Sequence, residues 1–322
     1  MQKNNFMYGF FQKLDFGFIP FQKIIQSIAL IDEINGKWSV DKKTIEHRLQ
    51  NLNEKEMSSD NKAFYESLTF IRENFLNLSL SEDVLQQFNK YIFKYSEKDK
   101  EFSGIYRNVQ KTIAKSFGSN KNYPHFIASK PENIKAELTE LITWANRQIQ
   151  VKNIHPLIVI AAFAYDFLSI HPFNEGNLRT SILIMNMLLL KAGYSFVKYI
   201  SFMNYFESYK EDFYDSMIDG QQKRGQKEEK IDKWLMFFLK SLEYMSNEFI
   251  VKYEKLKTKI KYLNERQYKI IEYIEKRPVK VGDLAKYFSD IANSTLKKDL
   301  QYLKKEQFVL FSGKGKGTIY FI

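Results

Sequence analysis

Apolar positions recur at helical spacing through most of the first 260 residues. Between Phe16 and Trp38 the series Ile24, Ile25, Ile28, Ile31 and Ile34 stops at Asn35-Gly36, which predicts a helix closed by a glycine C-cap. Lys42 to Glu56 puts Ile45, Leu49 and Leu52 on one face, and Lys62 to Phe75 does the same with Phe64, Leu68 and Ile71. Leu80 to Tyr95 follows, with Ser81 as N-cap and Glu82 and Asp83 in the first turn, where negative charge complements the helix dipole. A breaker-rich stretch, Ser116 to Pro131, interrupts the series; its centre, Tyr123-Pro124-His125-Phe126-Ile127, is apolar enough to predict a short hairpin or extended flap. Helical spacing returns from Asn133 to Gln150 through Ile134, Leu138, Leu141, Ile142 and Trp144.

Two runs depart from the one-faced pattern. Leu157 to Leu168 is apolar except for Asp166, and Ile182 to Leu190 is nearly as apolar, so both predict helices buried on all sides. Between them, Ser169 to Thr180 brings His171, Glu175, Gly176 and Arg179 into nine residues. The second helix starts near Gly176 or Asn177, and its unpaired first-turn N–H groups make that end an anion site. Lys191-Ala192-Gly193 is a helix stop. The aromatic stripe from Tyr199 to Met217 reads as core, Asp219 to Lys230 as an exposed loop, and Ile231 to Leu263 as a long helix. That helix is apolar first, at Trp234, Leu235, Phe238, Leu239 and Leu242, and then charged, which suits a linker.

The last sixty residues change grammar. Asn264 to Lys276, Val281 to Phe288 and Ser294 to Lys305 predict three helices, the third capped by Ser294 or Asn293. Phe308 to Phe311 and Thr318 to Ile322 predict a hairpin across a glycine-rich loop, which completes a winged-helix order. From Asn264 onward there are twelve Lys or Arg against seven Asp or Glu. Lys297, Lys298 and Gln301 on the third helix and Lys314 and Lys316 on the wing suit phosphate contacts with DNA; the same module also suits protein docking.

Composition narrows the classes. The chain has 322 residues, 44% hydrophobic, and no cysteine, so disulfides and thiolate metal sites are excluded and a cytoplasmic location is expected. No apolar run reaches the roughly 20 residues that span a bilayer, so no membrane partner is expected. The net charge of +11 fits a nucleic-acid partner, an anionic small molecule, or a lysine-rich coding bias spread over a solvated surface. Among four histidines none forms a His-Glu-x-x-His zinc spacing.

The stretch His171-Pro172-Phe173-Asn174-Glu175-Gly176-Asn177-Leu178-Arg179 resembles the signature loop of the Fic family, His-Pro-Phe-x-Asp/Glu-Gly-Asn-Gly-Arg-x-x-Arg. Gly104-Ile105-Tyr106-Arg107, His155-Pro156-Leu157 and Phe213-Tyr214 resemble further landmarks in the same order. The resemblance implies a mainly α fold: a Fic-like helical bundle with a small flap hairpin, followed by the α+β winged helix-turn-helix domain. The expected organisation is an N-terminal helical region over 1–103, a core over 104–244, a linker helix over 245–263 and the winged helix over 264–322.

The activity implied is transfer of AMP from ATP to a Tyr, Ser or Thr hydroxyl of a protein substrate. His171 then takes the hydroxyl proton near its ordinary pKa, Glu175 holds Mg²⁺, Gly176 and Asn177 offer backbone N–H groups to the phosphates, and Arg179 clamps them. Tyr123, His125, Phe126 and Ile127 form the target-docking flap, and Tyr209 and Tyr214 read either as lining of the adenine pocket or as core. Leu178 stands where the family has glycine and narrows the loop beside the phosphates; the second arginine falls on Ile182. Thr69-Phe70-Ile71-Arg72-Glu73-Asn74 matches the family's inhibitory pattern, with Thr69 and Glu73 as its key residues. Further expected partners are DNA and a second copy in a homodimer. The competing readings are a transcriptional regulator or nucleotide sensor with a degenerate loop, and an enzyme using another nucleotide donor.

Overall fold

The computed structural model describes residues 18–37, 62–97, 99–114, 125–226, 229–261, 263–306 and 308–322. These fall into two compact units, residues 18–37 with 62–247, and residues 248–322. The expected helix over Lys42 to Glu56, and Tyr123, lie outside the described residues.

In the first unit, α1 (Phe18–Lys37), α2 (Lys62–Asn74) and α3 (Glu82–Ile92) bear single apolar faces; α2 and α3 turn theirs onto a later helix. Ser81 caps α3 by accepting from Val84 N at 3.3 Å. One expectation needs correction: Gly36 does not cap α1, which runs on to Lys37 with no left-handed residue at that glycine. Tertiary bonds hold this end instead, Asn35 Nδ2 donating to the Gly193 carbonyl and Tyr194 Oη to Asp32.

α4 (Ile134–Val151), α5 (Pro156–Ile170) and α6 (Asn177–Lys191) form the centre, with α5 packed against both others. Every side chain of α5 from Val159 onward is buried, Asp166 included, which explains why the run is apolar at nearly every position. A fully buried Leu, Ile or Phe contributes about 1.5–3 kcal/mol relative to exposure, so these two helices fix the frame for the loop between them. α7 (Phe202–Ser208), α8 (Lys210–Gln221) and the part of α9 (Asp232–Lys261) up to Asn247 close the unit, and Trp234 Nε1 donates to the Ala161 carbonyl at 2.7 Å. The segment from Asp219 to Lys230 is an exposed loop only in part, with Gln222, Lys223, Gly225 and Gln226 at the surface. α8 continues through Gln221, Gln221 and Glu229 are buried, and Glu229 accepts from Gly225 N at 2.7 Å. A backbone donor compensates the buried carboxylate, so its charge alone misled. β1 (Thr112–Ala114) and β2 (His125–Ile127) pair antiparallel, with Ile113 opposite Phe126.

The second unit contains α10 (Glu265–Lys276), β3 (Val279–Lys280), α11 (Val281–Tyr287), α12 (Asn293–Lys305), β4 (Leu310–Ser312) and β5 (Ile319–Phe321), its sheet ordered β3-β5-β4. Two differences from expectation stand out. The strand β3 joins the hairpin, and α12 begins after Ala292 with no side-chain cap from Asn293 or Ser294. Burial of Leu296, Leu300 and Leu303 fixes where α12 starts, and packing overrides the cap preference. Asp299, buried on the same helix, accepts from Arg266 Nε at 2.5 Å and Gln267 Nε2 at 3.1 Å. No helix among the described residues is long and apolar enough to cross a membrane.

Candidate functional site

The loop between α5 and α6 is tied at nearly every residue. His171 ends α5 in the left-handed region (φ 53°) with its N–H donating to the Phe167 carbonyl at 2.9 Å, and Pro172 prevents the helix from continuing. Phe173 is fully buried against the rings of Tyr106 and Phe167. The Asn177 side chain staples the turn in both directions: Oδ1 accepts from Phe173 N and Nδ2 donates to the Phe173 carbonyl, each at 2.9 Å. Gly176, at φ +79°, caps α6, and a Cβ there would stand 2.6 Å from Ile92 Cδ1 and 2.8 Å from Phe93 Cε2. Glycine is therefore required by both backbone and space.

Two buried polar side chains that sequence reasoning had not given a role fasten the loop to the rest of the unit. The Arg107 guanidinium donates to the carbonyls of His171 (2.7 Å), Ile170 (3.1 Å), Val109 (2.7 Å) and Ser129, while Arg107 N donates to the Pro172 carbonyl at 2.9 Å. Asn89 Nδ2 donates to the Glu175 carbonyl (3.0 Å) and Thr180 Oγ1 (3.1 Å), and its Oδ1 accepts from Gly104 N at 2.8 Å. Asn89 was detectable as an amide on the apolar face of α3, between Leu85, Phe88 and Ile92. Arg107 was visible only as part of a resembling landmark. A third, partly exposed side chain, Lys111, places Nζ 3.1 Å from Glu175 Oε1 and donates to the Asn174 carbonyl, and nothing in the sequence marks it.

Electrostatics set what the loop can do. His171 Nδ1 lies 3.3 Å from the Leu168 carbonyl; a carbonyl only accepts, so Nδ1 carries the proton and Nε2 is the basic nitrogen. Its pKa is not near the ordinary value: burial, with the charges of Lys111 and Arg107 adding to it against the Leu168 hydrogen bond, pushes it down to about 4. The imidazole is thus a neutral base throughout the physiological range. The Arg179 guanidinium lies 5.0 Å from the Phe93 ring centre, and burial lowers its pKa while Asp99 and Glu175 oppose that shift. The Glu175 carboxylate is 69% exposed. No cluster of three His, Asp or Glu that could hold a metal occurs among the described residues.

The other expected site residues spread out. Leu178 is half-buried in the first turn of α6, whereas Ile182 is 1% exposed and belongs to the core. Phe126 is buried with Ala128 and Ile218, with Tyr214 packed against them, and Ile127 is exposed; His125 lies opposite Ala114 in the register. Tyr209 is exposed, its ring tilted by 31° against that of Tyr205 with the centres 4.5 Å apart. Thr69 bonds to the Tyr65 carbonyl of its own helix, and Glu73 is exposed with no ion pair to Arg179 among the described residues. In the second unit Lys297, Lys298, Gln301 and Lys314 are exposed, while the Lys316 side chain lies outside those described.

Residues 79–189 match the Fic/DOC family. A protein adenylyltransferase Fic from Drosophila grimshawi is 47% identical over 51 residues, 16% of this chain and 10% of that protein. Its counterpart from Aedes aegypti is 39% identical over 64 residues, 20% of this chain and 13% of that protein. The match thus spans about a tenth of the length of these curated relatives. A crystal structure of a Fic family protein from Desulfovibrio desulfuricans G20 superposes with a TM-score of 0.56 at 15% identity, covering 93% of this chain and 95% of that one. Fic-1 from Caenorhabditis elegans gives 0.52 at 17% identity, covering 75% and 74%. These similarities show the fold.

Proposed function

We propose that this chain, which belongs to the Fic/DOC family through residues 79–189, transfers AMP from ATP to a hydroxyl on a protein side chain. The observation that carries the reading is His171, a neutral imidazole with a basic Nε2, held five residues before the α6 N-cap. The acceptor oxygen attacks the α-phosphorus as His171 takes its proton; the bond from that phosphorus to the bridging oxygen breaks, and pyrophosphate leaves. The first-turn N–H groups of α6 and the Arg179 guanidinium stabilise charge on the phosphates. Relatives named protein adenylyltransferase support the same chemistry.

Glu175 is the residue that would hold Mg²⁺. An exposed carboxylate beside an anion site fits a hard cation that takes its other ligands from phosphate and water. Bound there, the ion neutralises phosphate charge. Exposed Tyr209 suits an adenine ring, while Tyr214, packed with Phe126 and Ile218, supports the flap that aligns the target. The expected compartment is the cytoplasm, in keeping with the absence of cysteine.

Incubation of the purified chain with Mg²⁺, lysate and ATP labelled at the α-phosphate tests the reading. Label on protein is expected, and His171→Ala should lower its rate by about 10²–10⁴-fold, the usual share of a general base. Label from γ-labelled ATP would indicate phosphoryl transfer instead, and no label from any nucleotide would favour a regulator.

The second unit supports an additional role in DNA binding as a winged helix. Lys297, Lys298 and Gln301 are exposed on α12, and Lys314 is exposed in the turn between β4 and β5.

A further inference from the structure

Lys111 lies outside the signature loop, one residue before β1, where its carbonyl accepts from Ala128 N at 3.0 Å. From this anchored backbone the side chain reaches across to the loop and meets both the Asn174 carbonyl and the Glu175 carboxylate. It is also close enough to His171 for its charge to act on the imidazole. The ammonium therefore stands among the base, the exposed carboxylate and the residues leading into the α6 N-terminus.

α6 itself offers little more positive charge. After Arg179 its next cation is Lys191, at the opposite end, and Ile182 is buried. A triphosphate carries several negative charges, and one guanidinium with one helix end leaves much of that charge unmet. The Glu175 side chain is exposed and that of Lys111 is 27% exposed, so their ion pair is of the kind that contributes only about 0–1 kcal/mol and exchanges partners readily. An ammonium on a flexible four-carbon stem moves between partners by changing rotamer.

We propose that Lys111 is the second phosphate-contacting cation of this site, supplied by the flap rather than by the helix. Without nucleotide it neutralises Glu175; with nucleotide it transfers to the phosphates beyond the α-phosphorus and leaves Glu175 to the cation. The inference rests on the nucleotide-transfer reading above. It also couples the flap to the nucleotide, because β1 begins at the next residue.

Calorimetric titration of the full chain with a non-hydrolysable ATP analogue plus Mg²⁺, and separately with AMP, tests the role. Lys111→Ala should weaken the analogue by about ten- to a hundred-fold, as loss of a charged hydrogen bond does, while leaving AMP affinity within about twofold, and Lys111→Arg should restore most of the loss. Equal losses for both ligands, or none, overturn the proposal and leave the nucleotide reading standing. A wild-type chain that binds neither ligand removes both. The melting temperature of each variant separates a binding defect from unfolding, and Lys111→Gln replaces Lys111→Ala if the latter does not fold.

Discussion

The loop after α5 and the basic surface of α12 both bring cations to a place suited to phosphate, but they hold them differently. At the loop, Arg107 is buried on four carbonyl acceptors, Arg179 lies over Phe93 and Lys111 bridges to Glu175. On α12, Lys297 and Lys298 point into solvent, and the helix is fixed from its other side by Asp299 and three leucines. The first arrangement suits chemistry: Arg107 holds the loop backbone, so the His171 ring and the first-turn N–H groups of α6 are in place before the reaction and cost no reorganisation when charge develops. Lys111 is the one cation there that changes partner. The second suits attraction to a polyanion, where charge density matters more than the position of any one group. Substitutions in the two regions should therefore fail in different ways.

The largest effect is expected at Arg107. Arg107→Ala leaves the carbonyls of Ile170, His171, Val109 and Ser129 without their donor, and each buried unsatisfied group costs about 1–3 kcal/mol before any relaxation or entry of water. A destabilisation of about 3–5 kcal/mol in denaturant melts is expected and, on the nucleotide-transfer reading, loss of AMP transfer with it. Arg107→Lys should recover only part of this, since an ammonium does not reproduce the planar fork. A melt within about 0.5 kcal/mol of wild type, the usual range for surface substitutions, would mean that other bonds hold the loop and that Arg107 does not set it apart from α12.

At α12 the expected effect is smaller and depends on salt. On the DNA-binding reading, the Lys297→Ala/Lys298→Ala double variant should flatten the slope of log K against log salt by about two and weaken all sequences alike. Its melting temperature, and any AMP transfer measured for the wild type, should stay near wild type, because both side chains are exposed. A gel shift at two salt concentrations reads this directly; absence of any shift at low salt would assign the unit to protein contacts.

How much of this was legible in the sequence follows from the same contrast. Helix α4 is legible because its apolar positions repeat with the helical period, and α5 and α6 because nearly every position in them is apolar, as burial on all sides requires. The chemistry of the loop was visible because His171, Glu175, Gly176 and Arg179 are contiguous. Arg107, Asn89 and Lys111 lie 63 to 91 residues from their loop partners, and no local pattern encodes such bonds. Gly36 and Ser294 misled for a related reason. Cap preferences amount to about 1 kcal/mol, and tertiary packing outweighs them. The lowered pKa of His171 was equally hidden, since burial of the ring depends on how α5 ends and not on which residues flank it.

That pKa supplies the most modest prediction and the sharpest view of how firmly the loop is set. The imidazole of the folded chain should remain neutral until the pH falls towards about 4, against 6.5 for an unperturbed group. Between those values the unfolded chain binds more protons than the folded one. The contribution of His171 to stability is therefore complete above pH 6.5 and is lost as the pH falls to about 4. NMR titration of the nucleotide-free protein, with the resonance assigned by its absence in His171→Gln, follows the ring directly. Lys111→Ala should move the midpoint upward, because one of the charges that depresses it is removed. A wild-type midpoint near 6.5 would show that water reaches the ring freely. In that case the base is not pre-set by the fold, and the difference between a fixed site and a diffuse surface narrows to the four carbonyl bonds of Arg107.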